Sequence, residues 1–416
     1  MFKTLYETSI HFYTIAVSVA AFFNPKARLW KKGRQGVFQK ISQQLASDTK
    51  RKIWFHTASL GEFEQARPVL ENIKNNYPDT SVILTFFSPS GYEVRKNYQH
   101  ADYVFYLPAD TSKNAKHFLD IVNPSLAFFT KYDFWYNYLR ELHNRNVPVV
   151  AISCLFRHNQ IYFKKLATPY KKVLQQVEAL FLQNQESAEV LVQNDFSNFE
   201  VTGDTRYDRV SQNAAQATKL PTIEKFRQNK PLLLAGSSWS EDMEVLIPFI
   251  NNFKHELKLI IAPHEIKQAE INGYISRINK KSIKFSEIQN QEPTEADILF
   301  IDNIGMLSSL YQYADYAFIG GAFGKGLHNI LEAAVFGMPL FFGPRYQRFP
   351  EAVDLKKQGL AFPVNSLEEF EPIFNDLYTN NNKRVQIAEG TKAFIKQHTG
   401  STQRIMDYCK KYFEGI

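Results

Sequence analysis

The chain has 416 residues, of which 44% are hydrophobic and 14% aromatic, and its formal net charge is +7. This length exceeds what one hydrophobic core usually holds, and this composition excludes an intrinsically disordered chain, so two globular domains are expected. Only two cysteines occur, Cys154 and Cys409, without CxxC or Cys/His spacing, so the pattern indicates neither a disulfide framework nor a zinc site. The basic charge favours an acidic partner, which can be anionic lipid, nucleic acid or a phosphorylated substrate.

Residues 1–35 are predicted to form a membrane anchor with a basic flank. An almost uncharged run extends from Ile10 to Phe23, and its helix would be about 21 Å long, shorter than the roughly 30 Å hydrocarbon core of a bilayer. A shallow anchor at an anionic cytoplasmic leaflet therefore fits better than a membrane span. A cleaved signal peptide and a buried N-terminal helix are the alternatives. The flank consists of Lys26, Arg28, Lys31, Lys32 and Arg34.

Short apolar runs alternate with helical patterns over residues 36–211, which predicts an α/β domain whose parallel sheet is covered on both faces. A helix is predicted over Gly61 to Asn75, directly after the first strand. The predicted strands are 53–58, 81–87, 103–107, 126–130, 147–153, 179–182 and 199–201.

A polar stretch over 212–230 is the predicted linker, and a second alternating series over 231–400 predicts another domain of the same kind. Ser401 is the predicted N-cap of a final helix over 401–416. The fold class that follows is α/β, with two Rossmann-like, doubly wound domains and an N-terminal membrane-associated helix. The strands of the second domain are predicted over 231–237, 257–263, 296–302, 314–320 and 338–344.

A glycine-rich stretch over 319–344 is the clearest functional signal in the second domain. An apolar strand runs into a turn that contains Gly320 and Gly321, and a helix is predicted to open at residues 328–334. Such a turn presents backbone N–H groups at a helix N-terminus, where phosphate binds readily. The alternative is an ordinary turn between a strand and a helix.

Asn329 and Glu332 stand three residues apart at the start of this predicted helix. On a helix their side chains project from nearly the same face. An amide and a carboxylate beside a phosphate site suit the hydroxyls of a ribose. The alternative is that Glu332 is a solvated first-turn acid favoured by the helix dipole.

Polar or glycine-containing turns also follow other predicted strands. Glu62 stands at a predicted helix start after the first strand, and an ionised carboxylate there can act as a general base, although a plain capping residue is the alternative. Ligands of open α/β sheets bind outside the carboxyl ends of the strands, so these turns are expected to face a cleft between the domains. In the second domain the turns contain Ser237, Pro263, His264, Ile304, Gly305 and Met306.

Nucleic-acid binding and metal catalysis have little support in the sequence. The aromatic residues lie mainly inside apolar strands, where core packing is the default, and no DNA- or RNA-binding motif occurs. The histidines form neither HxxxH nor HExxH, and the acids have no ligand spacing. We therefore expect no nucleic-acid partner and no metal site.

The chain contains, in order, the segments HTASLGE (56–62), FFSPSGYE (86–93), KYDFWYN (131–137), VTGDTRYD (201–208), GSSWSEDME (236–244), IAPHE (261–265), DNIGMLSSLYQYADYAFIGG (302–321), GLHNILEAAVFGMPLFFGP (326–344) and RFPEA (348–352). In combination they resemble the 3-deoxy-D-manno-octulosonic acid (Kdo) transferases of lipopolysaccharide assembly, membrane-associated glycosyltransferases of the GT-B architecture. The resemblance extends over nearly the whole chain, including the N-terminal apolar run and its basic flank.

The resemblance implies an inverting transfer of Kdo from CMP-Kdo to a hydroxyl of a lipid A precursor, without a metal or a cofactor, since CMP-Kdo is a substrate. It implies that Glu62 is the general base and that Arg206 stabilises the transition state. Gly320, Gly321 and Ser237 could supply donors to the phosphate. The CMP-contacting positions it implies are Pro263, His264, Ile304, Gly305, Met306, Asn329, Ile330, Leu331 and Glu332.

Three departures from the family pattern bear on these roles. The family usually has arginine where His264 stands and glutamate where Met306 stands. It usually has two glutamates where this chain has Lys131 and Asp133. If an acid acts there, Lys131 either reverses the local charge or leaves the role to Asp133.

The resemblance also implies a location and a set of partners. We expect the protein at the cytoplasmic face of the inner membrane, with CMP-Kdo, a lipid A precursor and the anionic membrane surface as partners. One alternative is another nucleotide-sugar enzyme of the same architecture, either a transferase or an epimerase. The other is a non-catalytic, membrane-bound sensor of nucleotide sugars.

Overall fold

The computed structural model describes residues 2–288 and 293–414, which form two compact units. Unit 1 comprises the chain up to Arg209 together with the residues from Thr399 onward, and unit 2 comprises Val210–His398. The first residue of the predicted anchor and the last two of the predicted final helix lie outside the described residues. Each unit is built around one parallel sheet.

The strands of unit 1 are β1 (Arg51–Thr57), β2 (Thr80–Phe86), β3 (Tyr103–Tyr106), β4 (Leu126–Thr130), β5 (Val149–Cys154), β6 (Ala179–Leu182) and β7 (Phe199–Val201). Those of unit 2 are β8 (Leu232–Ser238), β9 (Lys258–Pro263), β10 (Ser282–Lys284), β11 (Ile298–Phe300), β12 (Tyr316–Ile319), β13 (Leu340–Phe342) and β14 (Ala361–Pro363).

The strand order is β3-β2-β1-β4-β5-β6-β7 in unit 1 and β10-β11-β9-β8-β12-β13-β14 in unit 2, and every pairing between neighbours is parallel. The prediction of two α/β units with parallel sheets is confirmed. The sequence did not predict β10 and β14. Both are short strands at the edges of their sheet, where little apolar sequence is needed.

The helices of the first half are α1 (Phe2–Ala20), α2 (Pro25–Arg34), α3 (Val37–Leu45), α4 (Leu60–Asn76), α5 (Pro89–Arg95), α6 (Ser112–Val122), α7 (Tyr136–Asn144), α8 (Thr168–Gln175), α9 (Gln185–Val192) and α10 (Thr205–Ala215). Those of the second half are α11 (Pro221–Arg227), α12 (Ser240–Asn252), α13 (Gln268–Ser276), α14 (Leu307–Leu310), α15 (Leu331–Ala334), α16 (Pro350–Lys357), α17 (Leu367–Thr379), α18 (Asn381–His398) and α19 (Ser401–Cys409).

Both faces of the first sheet are buried, as its nearly continuous apolar strands require. In β1, Trp54 packs into the cluster on one face, whereas Ile53 and Phe55 pack into the cluster on the other. Phe55 stacks on Phe128 of β4 with the ring centroids 4.5 Å apart. This packing fixes β1 and β4 rigidly, so the residues that follow them start from a defined position.

Residues 212–230, predicted as a linker, are largely helical. They include the end of α10 and the whole of α11, in which Ile223 and Phe226 are fully buried. This stretch is therefore packed as part of unit 2, despite its polar composition.

The final helix belongs to unit 1 and is capped one residue earlier than predicted. Gly400, with a φ of 103°, occupies the N-cap position, and Ser401 is the first helical residue. The Ser401 hydroxyl instead donates to the carbonyl of Thr202 at 2.6 Å. A glycine serves as the cap because the backbone there is left-handed.

Candidate functional site

The residues predicted for proton transfer lie at the carboxyl edge of the unit 1 sheet. Strands β1 and β4 are neighbours, with His56 opposite Phe129, and the strand order reverses between them. Such a switch point leaves a crevice beyond the strand ends, which is where ligands bind in open α/β sheets. Glu62 follows β1 and Asp133 follows β4, so the fold brings these two carboxylates to the same crevice.

The Glu62 carboxyl group lies in the first turn of α4 and is 9% exposed. The Ser59 hydroxyl donates to its Oε2 at 3.0 Å. Burial raises the pKa of Glu62, the charge of Asp133 raises this pKa further, and Ser59, Lys131 and His56 oppose the rise. The sequence predicted a carboxylate held ionised by its helix, but burial outweighs that effect. A raised pKa makes Glu62 a stronger proton acceptor when it is ionised.

The Asp133 carboxylate lies against two ring nitrogens, Trp135 Nε1 and His56 Nε2, which are themselves 3.0 Å apart. Its Oδ2 atom accepts a hydrogen bond from Trp135 Nε1 at 2.9 Å and lies 2.8 Å from His56 Nε2. His56 is fully buried, and its Nδ1 lies 2.9 Å from the hydroxyl of Thr85. Sequence reasoning singled out neither His56 nor Trp135, although both stand inside the quoted segments at 56–62 and 131–137.

Lys131 occupies the turn that leaves β4. Its φ is 67°, in the left-handed region that non-glycine residues rarely adopt. Its ammonium lies 5.5 Å from the centroid of the Tyr132 ring. The charges of Lys131 and Asp133 act on the pKa of Glu62 in opposite directions, so the turn presents one cation and one anion where two acids were expected.

Arg206 is anchored to the helix that carries Glu62. Its Nη2 and Nε lie 2.8 and 2.9 Å from Asp204 Oδ2. Gln65, one turn after Glu62 on α4, donates to the same oxygen of Asp204 at 3.3 Å. The Thr205 hydroxyl also donates to the carbonyl of Gln65. Unit 1 therefore places a cation next to the helix of the candidate base.

A second switch point lies between β8 and β12 of unit 2, with Ile319 opposite Gly236. Here the backbones approach very closely, since a Cβ atom on Gly320 would lie 2.3 Å from the carbonyl oxygen of Ser237. The next residue, Gly321, has a φ of 93° and donates its N–H to Asp242 Oδ2 at 2.8 Å. Both glycines are thus required at the end of β12, one for space and one for conformation.

The helix predicted to open at residues 328–334 is much shorter. Helix α15 contains only Leu331–Ala334. The preceding residues form successive turns in which Gly324 and Gly326 donate to Gly321, and His328 donates to Gly320. The predicted helix start at residue 328 is therefore wrong, and turns satisfy these N–H groups.

The predicted meeting of Asn329 and Glu332 is confirmed. Asn329 Nδ2 donates to Glu332 Oε1 at 2.9 Å, and this pair is exposed. Ile330 and Leu331 are fully buried. Only the backbones of these two apolar residues remain suited to contact a ligand.

Three aromatic rings stack beside the glycine-rich turn. The ring centroids of Trp239 and His264 are 4.6 Å apart, and those of His264 and His328 are 4.3 Å apart. Trp239 Nε1 donates to His328 Nε2 at 2.8 Å, and the ammonium of Lys325 lies 3.8 Å from the Trp239 ring centroid. Trp239 and Lys325 were not predicted, although Trp239 stands inside the quoted segment at 236–244 and Lys325 inside the glycine-rich stretch over 319–344.

The stacked histidines are uncharged at neutral pH. Burial lowers the pKa of His264. Burial, together with the neighbouring His264, lowers the pKa of His328 to about 4. The positive charge at this place is therefore that of Lys325, whose ammonium rests on the indole face.

The loop after β11 contains the remaining predicted residues of unit 2. Ile304 is 91% exposed, and Gly305 has a φ of 97°. Met306 is the N-cap residue of α14, and its sulfur accepts a contact from Asn303 Nδ2 at 3.0 Å. Leu307 of α14 lies against Gly236, so this loop adjoins the switch point of unit 2.

The two N-terminal helices present an apolar surface. Phe22 and Phe23 are 73% and 86% exposed. Helix α1 is fixed to unit 1 because Tyr6 donates to Asp110 at 2.6 Å. Further exposed apolar side chains on these helices are Leu5, Phe12, Tyr13, Ile15, Val19 and Leu29.

Arg34, predicted to flank the membrane, points inward instead. Its guanidinium donates to the carbonyls of Leu107 and Phe87 and lies 4.0 Å from the centroid of the Trp30 ring. Burial lowers the pKa of Arg34 to about 9. Its role in this structure is to tie α2 to the first sheet.

Two searches covered the residues that the structure describes. No helix in the described ranges has both the length and the apolar character needed to cross a bilayer. Over the same ranges, no group of three or more histidine, cysteine, aspartate or glutamate side chains is arranged to hold a metal ion.

Residues 31–209 match the family model described as 3-deoxy-D-manno-octulosonic-acid transferase (kdotransferase). The chain is 30% identical to the 3-deoxy-D-manno-octulosonic acid transferase of Chlamydophila psittaci, over 71% of this chain and 70% of that protein. It is 24% identical to the enzyme of the same name from Haemophilus influenzae, over 87% of each.

Among solved structures, the UDP-GlcNAc 2-epimerase of Neisseria meningitidis matches with a TM-score of 0.57 and 14% identity. The match covers 86% of this chain and all of that one (100%). At this identity the likeness shows a shared GT-B-like fold and nothing about the substrate.

Proposed function

This chain belongs to the 3-deoxy-D-manno-octulosonic acid (Kdo) transferase family and is a glycosyltransferase, and from that premise we propose that it transfers Kdo from CMP-Kdo to a lipid A precursor. The observation that carries this proposal is Glu62, a buried carboxyl group with a raised pKa at the switch point of unit 1. Its place in the fold and its proton affinity suit a general base.

In the proposed reaction Glu62, in its ionised form, takes the proton from an acceptor hydroxyl. The oxygen of that hydroxyl forms a bond to the anomeric carbon of Kdo, and the bond from this carbon to the phosphate oxygen breaks. The electron pair leaves with CMP. A single displacement of this kind inverts the anomeric carbon and needs no nucleophile from the protein.

The departing phosphate needs positive charge and hydrogen-bond donors. We assign the first need to Lys325 in unit 2. Arg206, which Asp204 holds through a two-nitrogen contact, is the transition-state cation that the family resemblance implies in unit 1. Ser237 borders the second switch point and is assigned the second need. The N–H groups of Gly320 and Gly321 already donate to Gly236 and Asp242, so these glycines shape the turn beside it. CMP-Kdo is a substrate in this scheme, and the reaction proceeds without a resident cofactor or metal.

The CMP portion is assigned to unit 2. The exposed pair Asn329 and Glu332 suits the ribose hydroxyls, since one side chain donates and the other accepts. His264, uncharged and stacked on Trp239, offers a flat ring where the family pattern has arginine. Met306 contributes through the backbone of its turn, which any side chain leaves available.

We further propose that α1 and α2 dock on the cytoplasmic face of the inner membrane. Their exposed apolar side chains, with Phe22 and Phe23 the most exposed, can enter the interface, while Lys31 and Lys32 face anionic headgroups. This orientation gives unit 1 access to an acceptor that is itself anchored in the bilayer.

The test is turnover by the purified chain with CMP-Kdo and a tetraacylated lipid A precursor, followed by the mass of the product. A product heavier by one or more Kdo residues supports the proposal. Turnover with a UDP-sugar in preference to CMP-Kdo would contradict the donor assignment. Binding of CMP without turnover would indicate a nucleotide-sugar sensor instead.

A further inference from the structure

A chain of hydrogen bonds runs from the core of unit 1 to the carboxylate beside Glu62. Trp54 Nε1 donates to the Thr85 hydroxyl at 2.8 Å, this hydroxyl lies 2.9 Å from His56 Nδ1, and His56 Nε2 lies 2.8 Å from Asp133 Oδ2. Trp54, Thr85 and His56 are all fully buried. The chain therefore links a rigid part of the sheet to the turn after β4.

Trp135 Nε1 lies 3.0 Å from His56 Nε2 and 2.9 Å from Asp133 Oδ2, so its N–H has two acceptors within reach. We assign this N–H to Asp133, and the tautomer of His56 then follows from the contact between Nε2 and Oδ2. A lone pair on Nε2 would face the lone pairs of Asp133 Oδ2 at 2.8 Å, which is repulsive, whereas an Nε2–H donates to that oxygen. Nδ1 then accepts the proton of the Thr85 hydroxyl at 2.9 Å, closer than the Phe55 carbonyl at 3.3 Å. The hydroxyl oxygen accepts the hydrogen bond from Trp54. This arrangement gives each of these polar atoms a partner.

Asp133 needs such a restraint because of where it lies. The turn that carries it begins with Lys131, whose backbone is left-handed, and regular helix begins only at Tyr136. Trp135 belongs to the same turn, so His56 is the partner of Asp133 that comes from a strand. Both ring nitrogens contact Oδ2 of Asp133. Because this oxygen is held in place, the direction of the other oxygen, Oδ1, is fixed as well.

We propose that His56 is a positioning residue that acts on proton transfer through Asp133. By donating from Nε2 it holds the Asp133 carboxylate oriented toward Glu62, and the negative charge of Asp133 keeps Glu62 basic. Asp133, rather than Lys131, then serves as the acid of this turn. The inference rests on the proposed function, because it assumes that Glu62 is the base.

Several titratable groups face this pair and must be counted in any pH dependence. Glu62 is subject to the charges of Asp133, Lys131 and His56. Asp133 is also felt by the buried Tyr162 and Tyr170, whose pKa values lie above the usual range mainly because of burial. These tyrosines are uncharged over the working range, so Lys131 is the cation that matters.

The test compares His56→Leu, His56→Gln and Asp133→Asn with His143→Gln, a control in the last turn of α7. Loss of a charge-assisted hydrogen bond in His56→Leu should lower kcat/KM for the acceptor about tenfold to a hundredfold. His56→Gln keeps a neutral side-chain N–H donor and should stay within about threefold of wild type. CMP affinity, measured by calorimetry, should be the same in every variant.

The pH profile separates positioning from a merely structural role. In Asp133→Asn the acid limb of kcat/KM should move to lower pH, because the charge that raises the pKa of Glu62 is lost. The double variant His56→Leu/Asp133→Asn should have a kcat/KM no lower than that of Asp133→Asn alone, because His56 acts through Asp133.

Three results would overturn the inference: an unchanged pH profile in Asp133→Asn, additive losses in the double variant, or a loss in His56→Gln as large as in Asp133→Asn while CMP still binds. If His56→Leu fails to fold by circular dichroism, the His56→Gln and Asp133→Asn results decide. Failure of the proposed function looks different, because Glu62→Gln would then retain wild-type turnover or wild type would have none.

Discussion

Gly320→Ala tests how the glycine-rich turn of unit 2 is built. The φ of Gly320 lies outside the left-handed region, so a side chain at this position is excluded by lack of space and not by the backbone conformation. An added Cβ would lie 2.3 Å from Ser237 O and 2.7 Å from both Ser237 C and Ser238 Cα. All three atoms are backbone, so no side chain can rotate away, and the end of β8 or of β12 must move.

Overpacking of this kind costs about 1–3 kcal/mol. For a unit of this size, each kcal/mol shifts Tm by about 2–4 °C, so the expected loss is about 2–12 °C in the calorimetric transition of unit 2. Hydrogen exchange in peptides covering β8 and β12 should rise locally. CMP should also bind more weakly, since Ser237 and Gly320 border the proposed phosphate site.

Gly273→Ala is the matched control in the same unit. Gly273 lies inside α13, and a Cβ there meets no atom within 4 Å. Alanine in a helix interior is favoured over glycine by about 0.5–1 kcal/mol, so this variant should melt at or slightly above the wild-type temperature. A Gly320→Ala protein that melts within 1 °C of wild type, roughly the error of calorimetry, with unchanged CMP affinity would refute the steric reasoning.

Three further outcomes are expected. Burial raises the pKa of Asp110 from 3.8 to about 7. Its contribution to the free energy of unfolding is therefore fully present below pH 4 and falls by about 4 kcal/mol as the pH rises to 7. In urea titrations at several pH values, Asp110→Asn should lack this fall in stability. The pKa of His328 is lowered to about 4, so its contribution is present above its unfolded pKa of 6.5 and lost as pH falls through 4; His328→Gln should be less acid-sensitive in the same titrations. Replacing Phe22 and Phe23 by serine should weaken binding to phosphatidylglycerol vesicles about a hundredfold in co-sedimentation, while the exposed Leu166→Ser should not.

Most of the architecture could be predicted because each sheet is buried on both faces. Apolar runs such as 126–130 and 179–182 match the observed strands, since a parallel strand covered by helices needs continuous apolar sequence. The edge strands at 282–284 and 361–363 lack such runs, so the pattern did not reveal them. The stretch over 212–230 was misleading because a short helix can pack on few apolar residues.

The candidate site was predicted less completely. Asn329 and Glu332 meet as their spacing indicated. The two residues between them, Ile330 and Leu331, have right-handed helical backbone, which brings side chains three residues apart to the same side. The role of His56 could not be predicted, since its partners Thr85 and Asp133 come from two other strands. The stack of Trp239 on His264 likewise depends on tertiary packing between loops that are distant in sequence.

The central claim is that Glu62 removes the proton from the acceptor during Kdo transfer, and Glu62→Gln tests it most directly. Glutamine keeps the size of the side chain and can accept a hydrogen bond from Ser59, but it cannot take a proton. The account predicts a fall in kcat of about a hundredfold to ten-thousandfold with CMP-Kdo and the lipid A precursor, at unchanged CMP affinity. Turnover by Glu62→Gln within about threefold of wild type would contradict it, because a loss of that size is far below what general-base catalysis contributes.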